Sequence, residues 1–194
     1  MRKNFIKCAV LILAAFFTSN AMAQNEKGDI EIGADFNVGI GASEFAPKTF
    51  FGGGIKGRWT LADNFRLEAN ASYMIVSETN EWETEYYDWD EKVTISHSED
   101  VTYGLIDISV NAHYLFGLTD GLFVYPLAGL GIVGATDAGN TEANASAFAL
   151  NLGAGAQYMF NENWGANVEA KYKILTGDAF SYINFSLGVI YKLP

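Results

Sequence analysis

Cysteine is almost missing from this 194-residue chain, which holds only Cys8. No internal disulfide can staple it, and thiol catalysis has nothing to work with beyond that position. Basic residues are scarce, 12 Lys and Arg against 23 Asp and Glu, a formal net charge of −11. Such acidity excludes a nucleic-acid partner, because neutralising phosphates needs a basic patch. Proline occurs three times, and no Pro-rich or Ser-rich linker divides the chain into two domains. No apolar run reaches the roughly 20 residues of a membrane-spanning helix. No helical period of any length appears, so the chain must be built from strands.

The first residues have the order of a secretory signal peptide. Arg2, Lys3 and Lys7 make a positive start, Cys8 to Phe17 an apolar run, and Ala21-Met22-Ala23 a small-x-small site. The reading is a signal peptide over 1–23, cleaved after Ala23, with export through the secretory pathway. Cys8 directly follows Lys7, with the apolar stretch after it rather than before it, which removes a lipoprotein reading. Cleavage leaves nine basic residues against 23 acidic ones, a net charge of −14, and no cysteine. Residues 24–194 then form a single domain.

What is present in quantity is alternation. From Phe65 to Ile75 the apolar positions Phe65, Leu67, Ala69, Ala71, Tyr73 and Ile75 alternate with Arg66, Glu68, Asn70 and Ser72. From Ile106 to Phe116 the same period sets Ile108, Val110, Ala112 and Tyr114 against Asp107, Ser109, Asn111 and His113. The two arms make one long hairpin. Similar segments occur at 30–41, 51–61, 148–160, 164–175 and 183–193, and a nearly apolar one at 122–134 has its phase blurred by Pro126, Gly129 and Gly131. Eight strands result. Short turns rich in Asn, Asp and Gly at 62–64, 117–121 and 161–163 alternate with longer connections around 42–49, 77–102, 135–146 and 176–181. This is an all-β, eight-stranded, antiparallel up-and-down barrel.

The facing follows from size. A soluble barrel would have to bury Trp59, Tyr73, Tyr114, Phe148, Tyr158, Trp164, Tyr172 and Phe185 in an interior only just wide enough for side chains. The opposite set is rich in Gly, Ser and Asn, with charges of both signs, and is small enough to fill such an interior. Trp59, Phe65, Tyr114, Phe116, Tyr158, Phe160, Trp164 and Tyr191 fall beside the short turns or chain ends, and Tyr73, Tyr103, Phe148 and Tyr172 near the other rim. Two aromatic girdles around an apolar band describe a transmembrane β-barrel with lipid outside and a polar, filled lumen.

With its signal peptide, eight period-two segments, short turns set against long loops, and last strand Ile183 to Leu193, the chain resembles the small eight-stranded outer-membrane barrels of the OmpA/OmpX type across residues 28–194. That family usually ends on an aromatic residue, whereas this chain ends Tyr191-Lys192-Leu193-Pro194. The resemblance implies a cell-surface, porin-like barrel in the bacterial outer membrane, with short periplasmic turns and long extracellular loops. It implies no single activity, because the fold hosts several.

Two constellations stand out. On the polar face of the strands lie Lys56, Arg58, Arg66, Lys171, Lys173 and Lys192, and with them Glu31, Asp35, Glu68, Asp107, Glu169 and His113. Near balance suits a closed interior, where an unpaired charge is costly. A turn centred on Asp63 sets Arg58 opposite Glu68. A hairpin centred between Asp90 and Glu91 sets Glu68 opposite His113 and Phe65 near Phe116. The row reads as a structural plug, and alternatively as a gate. The second constellation is the 77–102 segment, where Trp82, Tyr86, Tyr87 and Trp89 stand among nine carboxylates. Large rings held in water among acids mark a candidate contact surface for an extracellular protein or other surface partner.

Chemistry has little to build on. Ser96-His97-Ser98 lies in a loop, Ser109 and His113 point into the lumen, and neither pair has a placed acid. No EF-hand spacing appears among the loop carboxylates. No catalytic residue, metal or cofactor is expected. The expected partners are membrane lipid and a surface contact through the 77–102 loop, with the protein a monomer. A structural or adhesin-like role leads; a narrow solute pore and a lipid-modifying enzyme are the alternatives.

Overall fold

The computed structural model describes residues 26–42, 47, 49–88, 91–137, 145–177 and 180–194, and of residues 78–88, 91–94, 99–100, 137 and 145 the backbone alone. The expected signal peptide and Trp89 lie outside the described residues. Nine strand segments follow one another: β1 (Ile30–Gly41), β2 (Thr49–Ala62), β3 (Phe65–Asp88), β4 (Glu91–Tyr114), β5 (Phe116–Thr119), β6 (Leu122–Asp137), β7 (Ala145–Met159), β8 (Trp164–Leu175) and β9 (Tyr182–Lys192). Segments β4 and β5 are one strand interrupted at Leu115, whose amide donates to the Asn64 carbonyl at 2.7 Å in continuation of the β3–β4 pairing. Both pair with β6, so the barrel has eight strands.

Each strand is antiparallel to its neighbours in the chain, and β1 pairs with β9 from Glu31↔Lys192 to Gly41↔Tyr182. That seam closes the sheet. A closed sheet satisfies its backbone ladder internally and presents no edge, the condition for a strand-built wall to stand in hydrocarbon.

Alternation sorts the side chains as the period demands. Ile55, Leu130, Phe148 and Leu187 are among the outward residues, and Leu130 and Phe148 are each 68% exposed. At the short-turn end, ring pairs Tyr114–Phe116, Tyr158–Phe160 and Trp164–Tyr191 sit with centroids 5.0, 5.7 and 4.8 Å apart. An apolar band bounded by aromatic pairs is the outer surface.

The lumen is layered rather than uniformly polar. At the long-loop end Phe50, Met74, Val76, Leu105, Val133 and Tyr182 pack into an apolar cluster, with Phe180 against it. Toward the short turns Phe123, Met159 and Ile190 form a second cluster, and Leu115, Tyr125 and Leu127 a third. Charged and amide side chains fill the middle. A small barrel accommodates large inward rings by facing them with glycine. Tyr125 pairs across the ladder with Gly155, where a Cβ would stand 2.6 Å from the ring. Phe50 likewise covers Gly39, its partner on β1.

Two expectations about register have different outcomes. Arg58 does pair with Glu68 across the β2–β3 turn. In the long hairpin, however, Phe65 pairs with Tyr114, Glu68 with Asn111 and Arg66 with His113. The ladder ends at Asp88↔Glu91, so its centre falls earlier than expected. The displacement is two residues. Since side chains alternate with period two, every one keeps its face.

Candidate functional site

The middle of the lumen holds the residues of greatest chemical interest, carried inward by alternate positions of β1, β2, β3, β4, β6, β7 and β8. Arg58 is the hub. Its Nε donates to Glu68 Oε2 at 2.7 Å, and its Nη2 to Glu169 Oε1 at 2.6 Å and to Tyr125 Oη at 3.3 Å. Its Nη1 donates to Gln157 Oε1 at 3.1 Å. Tyr125 in turn donates to Glu169 Oε1 at 2.8 Å. The guanidinium therefore bridges β2, β3, β6, β7 and β8 across the barrel.

Arg66 forms a second centre. Its Nη1 donates to Gln157 Oε1 at 2.6 Å and Glu31 Oε2 at 3.1 Å, and its Nη2 lies 3.2 Å from His113 Nδ1. The guanidinium carbon stands 5.0 Å from the centre of the Tyr125 ring, on which the His113 imidazole also stacks at 4.7 Å. The Arg66 contact places His113 Nδ1 as an acceptor, so the ring is the neutral tautomer with its proton on Nε2. Although Glu68 and His113 are not ladder partners, Nε2 lies 3.9 Å from Glu68 Oε1.

The lysines complete the balance. Lys56 lies 3.2 Å from Asp35 and 3.3 Å from Glu169, and Lys171 lies 3.0 Å from Glu169. Nearer the long loops Lys173 meets Asp107 at 2.6 Å and donates to Asn151 Oδ1 at 3.1 Å. From Asn151 the chain of donors runs through Asn111 back to Glu68. Five carboxylates (Glu31, Asp35, Glu68, Asp107, Glu169) face five cations (Lys56, Arg58, Arg66, Lys171, Lys173), and these side chains are at most 1% exposed. Lys192 is the exception among the residues read as lumenal. It stands at the short-turn rim, 21% exposed and 2.6 Å from Asp29, because the last turn of the ladder opens to solvent there.

Sequence reasoning missed Tyr125, since Pro126 and the glycines hide the phase of β6. It also passed over Gln157, which bridges both arginines and donates to Glu31 at 2.9 Å; its position opposite Ala156 and Tyr158 is the signal that identifies it.

Chemically the cluster balances its own charge. The donor atoms of Glu68, His113 and Glu169 fall within 4.8 Å of one another, the proximity a metal would need. Arg58, Lys56 and Lys171 already occupy the space around both carboxylates. Ser109 Oγ donates to Asn70 at 3.5 Å and His113 is held by Arg66, so the two do not form a nucleophile–base pair. In the other constellation, Trp82, Tyr86 and Tyr87 lie on the β3 backbone beyond the barrel rim, paired with His97, Val93 and Lys92.

Comparison with solved structures finds the same barrel fold. The chain is similar to the N-terminal β-barrel domain of OprF from Pseudomonas aeruginosa, with a TM-score of 0.54, 24% identity, and coverage of 87% of this chain and 100% of that one. Neisserial surface protein A aligns with a TM-score of 0.64 at 16% identity, over 84% of this chain and 97% of its own. Ail, the attachment invasion locus protein of Yersinia pestis, aligns with a TM-score of 0.53 at 17% identity, over 86% and 99%. Curated protein sequences contain no match. The family model described as "Outer membrane protein beta-barrel domain" matches residues 9–192. With its closed wall, its lipid-facing band and that match along nearly its whole length, the chain belongs to the outer-membrane β-barrel family and to the bacterial outer membrane.

Proposed function

We propose that this protein is a closed, non-conducting, monomeric barrel that serves the cell surface through its extracellular β3–β4 ribbon. The observation that carries the reading is the layered lumen: charged side chains at most 1% exposed, beneath an apolar layer of Phe50, Met74, Val76 and Tyr182. A conducting pore needs a continuous wet path, and an apolar layer over a salt-bridged plug opposes one.

The ribbon is what remains free to act. The β2–β3 ladder ends at Phe50↔Val76 and the β4–β6 ladder at Tyr103↔Asp137. Beyond these, β3 and β4 pair with each other from Ser77↔Thr102 to Asp88↔Glu91, and the ribbon has no other strand partner among the described residues. Its sequence from 77 to 102 carries nine carboxylates and a single lysine, Lys92. This charge favours a basic or cation-bridged partner and predicts binding that weakens as salt rises. Ail has been solved in complex with the heparin analogue sucrose octasulfate; a polyanion of that kind would be repelled here. The reading assigns no enzymatic role and includes export through the secretory pathway with loss of residues 1–23.

The test replaces residues 79–99 with a short glycine-containing turn. The variant is expected to insert and fold, because the membrane strands are untouched, and to lose attachment to cell surfaces that the parent binds. Full attachment by the shortened barrel, or a steady open conductance of the parent in planar bilayers, would overturn the reading.

A further inference from the structure

The register of the β3–β4 ladder gives the ribbon two unlike faces. Cross-strand partners share a face and successive residues alternate between faces. The pairing is continuous from Phe65↔Tyr114 to Asp88↔Glu91, so each face of the ribbon extends one face of the barrel wall. The face that extends the lipid-facing wall carries Glu81, Glu83, Glu85 and Asp100 among serines and threonines. The face that extends the lumen lining carries the pairs Trp82↔His97, Thr84↔Ile95 and Tyr86↔Val93. Hydropathy inverts at the rim, where Ser77 Oγ stands 3.0 Å from Thr102 Oγ1. Below that point the wall-side face is apolar; above it the same face is acidic and the apolar positions fall on the other.

The apolar stripe is open and its own face frames it with charge. Ile95 within it is 42% exposed, and Val101, on the same face nearer the rim, is 37% exposed. Glu78 and Glu99 hold positions of this face at the base of the stripe, and the opposed pair Asp88↔Glu91 closes it at the tip. Like charges directly across a ladder repel, and a cation bound at the tip removes that cost. The lysine of the ribbon gives no relief there, because Lys92 pairs with Tyr87 on the acidic face. Asp88 lies eight residues beyond Asn80, the partner of Glu99, which is about 27 Å at roughly 3.4 Å per residue.

We propose that the lumen-side face of the ribbon docks an extended polypeptide segment that is apolar at its centre and carries Lys or Arg at both ends. The inference rests on the surface-binding reading of the ribbon and names the partner's chemistry. The apolar centre lies at the level of Trp82, Ile95 and Tyr86, and the two basic ends at the levels of Glu99 and of the Asp88–Glu91 pair. Burial of the centre supplies affinity, and the end charges supply register and speed of association. Each rival occupant fails on one part of this pattern. A second copy of this chain brings the same carboxylates and is repelled. An uncharged glycan leaves the framing acids unused, and a metal ion leaves the apolar stripe unused.

The experiment uses the full chain folded in nanodiscs, with fluorescence anisotropy of a labelled synthetic peptide as the readout. The probe has about ten residues, enough to cover the stripe, with lysines at both ends and valine alternating with threonine between them. A second peptide of the same composition gathers its lysines at the centre and is expected to bind at least about tenfold more weakly. Trp82→Ser with Tyr86→Ser should weaken binding of the first peptide at least about tenfold, as loss of aromatic anchors does. Asp88→Asn with Glu91→Gln should weaken it more than Glu83→Gln with Glu85→Gln, which removes the same charge from the opposite face. Equal binding of the two peptides, equal loss from the two carboxylate pairs, or binding abolished by a metal chelator would each overturn the proposal. The two readings fail separately. Attachment to cells that survives replacement of residues 79–99 removes the surface role itself. Attachment lost on that replacement, in a parent that does not distinguish the two peptides, removes only the partner named here.

Discussion

Arg58 Nη2 and Glu169 Oε1 meet at 2.6 Å across the lumen although 111 residues separate them in the chain. Their contact joins β2 to β8, which are not ladder neighbours. It is therefore a brace through the barrel rather than along its wall, and the same pair anchors Tyr125 from β6.

Truncating the other carboxylate bound by Arg58 strands a charge in a buried interior. Glu68→Ala leaves Arg58 without its Nε partner and is expected to cost about 3–5 kcal/mol, the range for breaking a buried pair. Glu162→Ala, on an exposed periplasmic turn, should cost less than about 1 kcal/mol. Denaturant midpoints of the two variants refolded in the same detergent decide it, and equal midpoints would refute the buried role of Glu68.

The fit of Tyr125 over Gly155 makes a coupling prediction. Gly155→Ala should destabilise by about 1–3 kcal/mol, because its Cβ would meet both the Tyr125 ring and the Glu169 side chain. In a Tyr125→Leu background part of that cost should disappear. A double-mutant cycle with no coupling energy would count against the packing described.

The apolar layer at the extracellular end predicts a silent parent that can be opened. Phe50→Ser combined with Tyr182→Ser removes two fully buried rings. Planar-bilayer recordings should then show brief conducting events that the parent lacks, and a stability loss of several kcal/mol, since truncating one buried ring alone costs about 3–5 kcal/mol. An unchanged silent trace would place the barrier in the charge layer instead.

Closure predicts a gel signature. Protein from outer-membrane fractions, kept in mild detergent and left unheated, should migrate faster than after boiling, because a barrel without edges resists partial unfolding. Cutting the seam by Ile32→Pro and Val189→Pro should abolish the fast form, since proline removes ladder donors at the β1–β9 junction.

The sequence by itself determined the wall. Period two along Phe65–Ile75 and Trp164–Ile174 decides which residues meet lipid, and short turns such as Ala62-Asp63-Asn64 decide the β2–β3 pairing that puts Arg58 beside Glu68. These are local matters, settled by alternation and by a few residues of turn. Tertiary structure alone decided what crosses the lumen. Glu169 reaches Arg58, and Gln157 bridges both arginines, only because the sheet closes with a particular stagger between distant strands. It also decided that Tyr125 points inward despite Pro126, that Lys192 ends at the rim with Asp29, and that the β3–β4 ladder sets Arg66, not Glu68, opposite His113. Alternation is insensitive to a slip of two residues, so it assigns a face correctly while leaving the partner open.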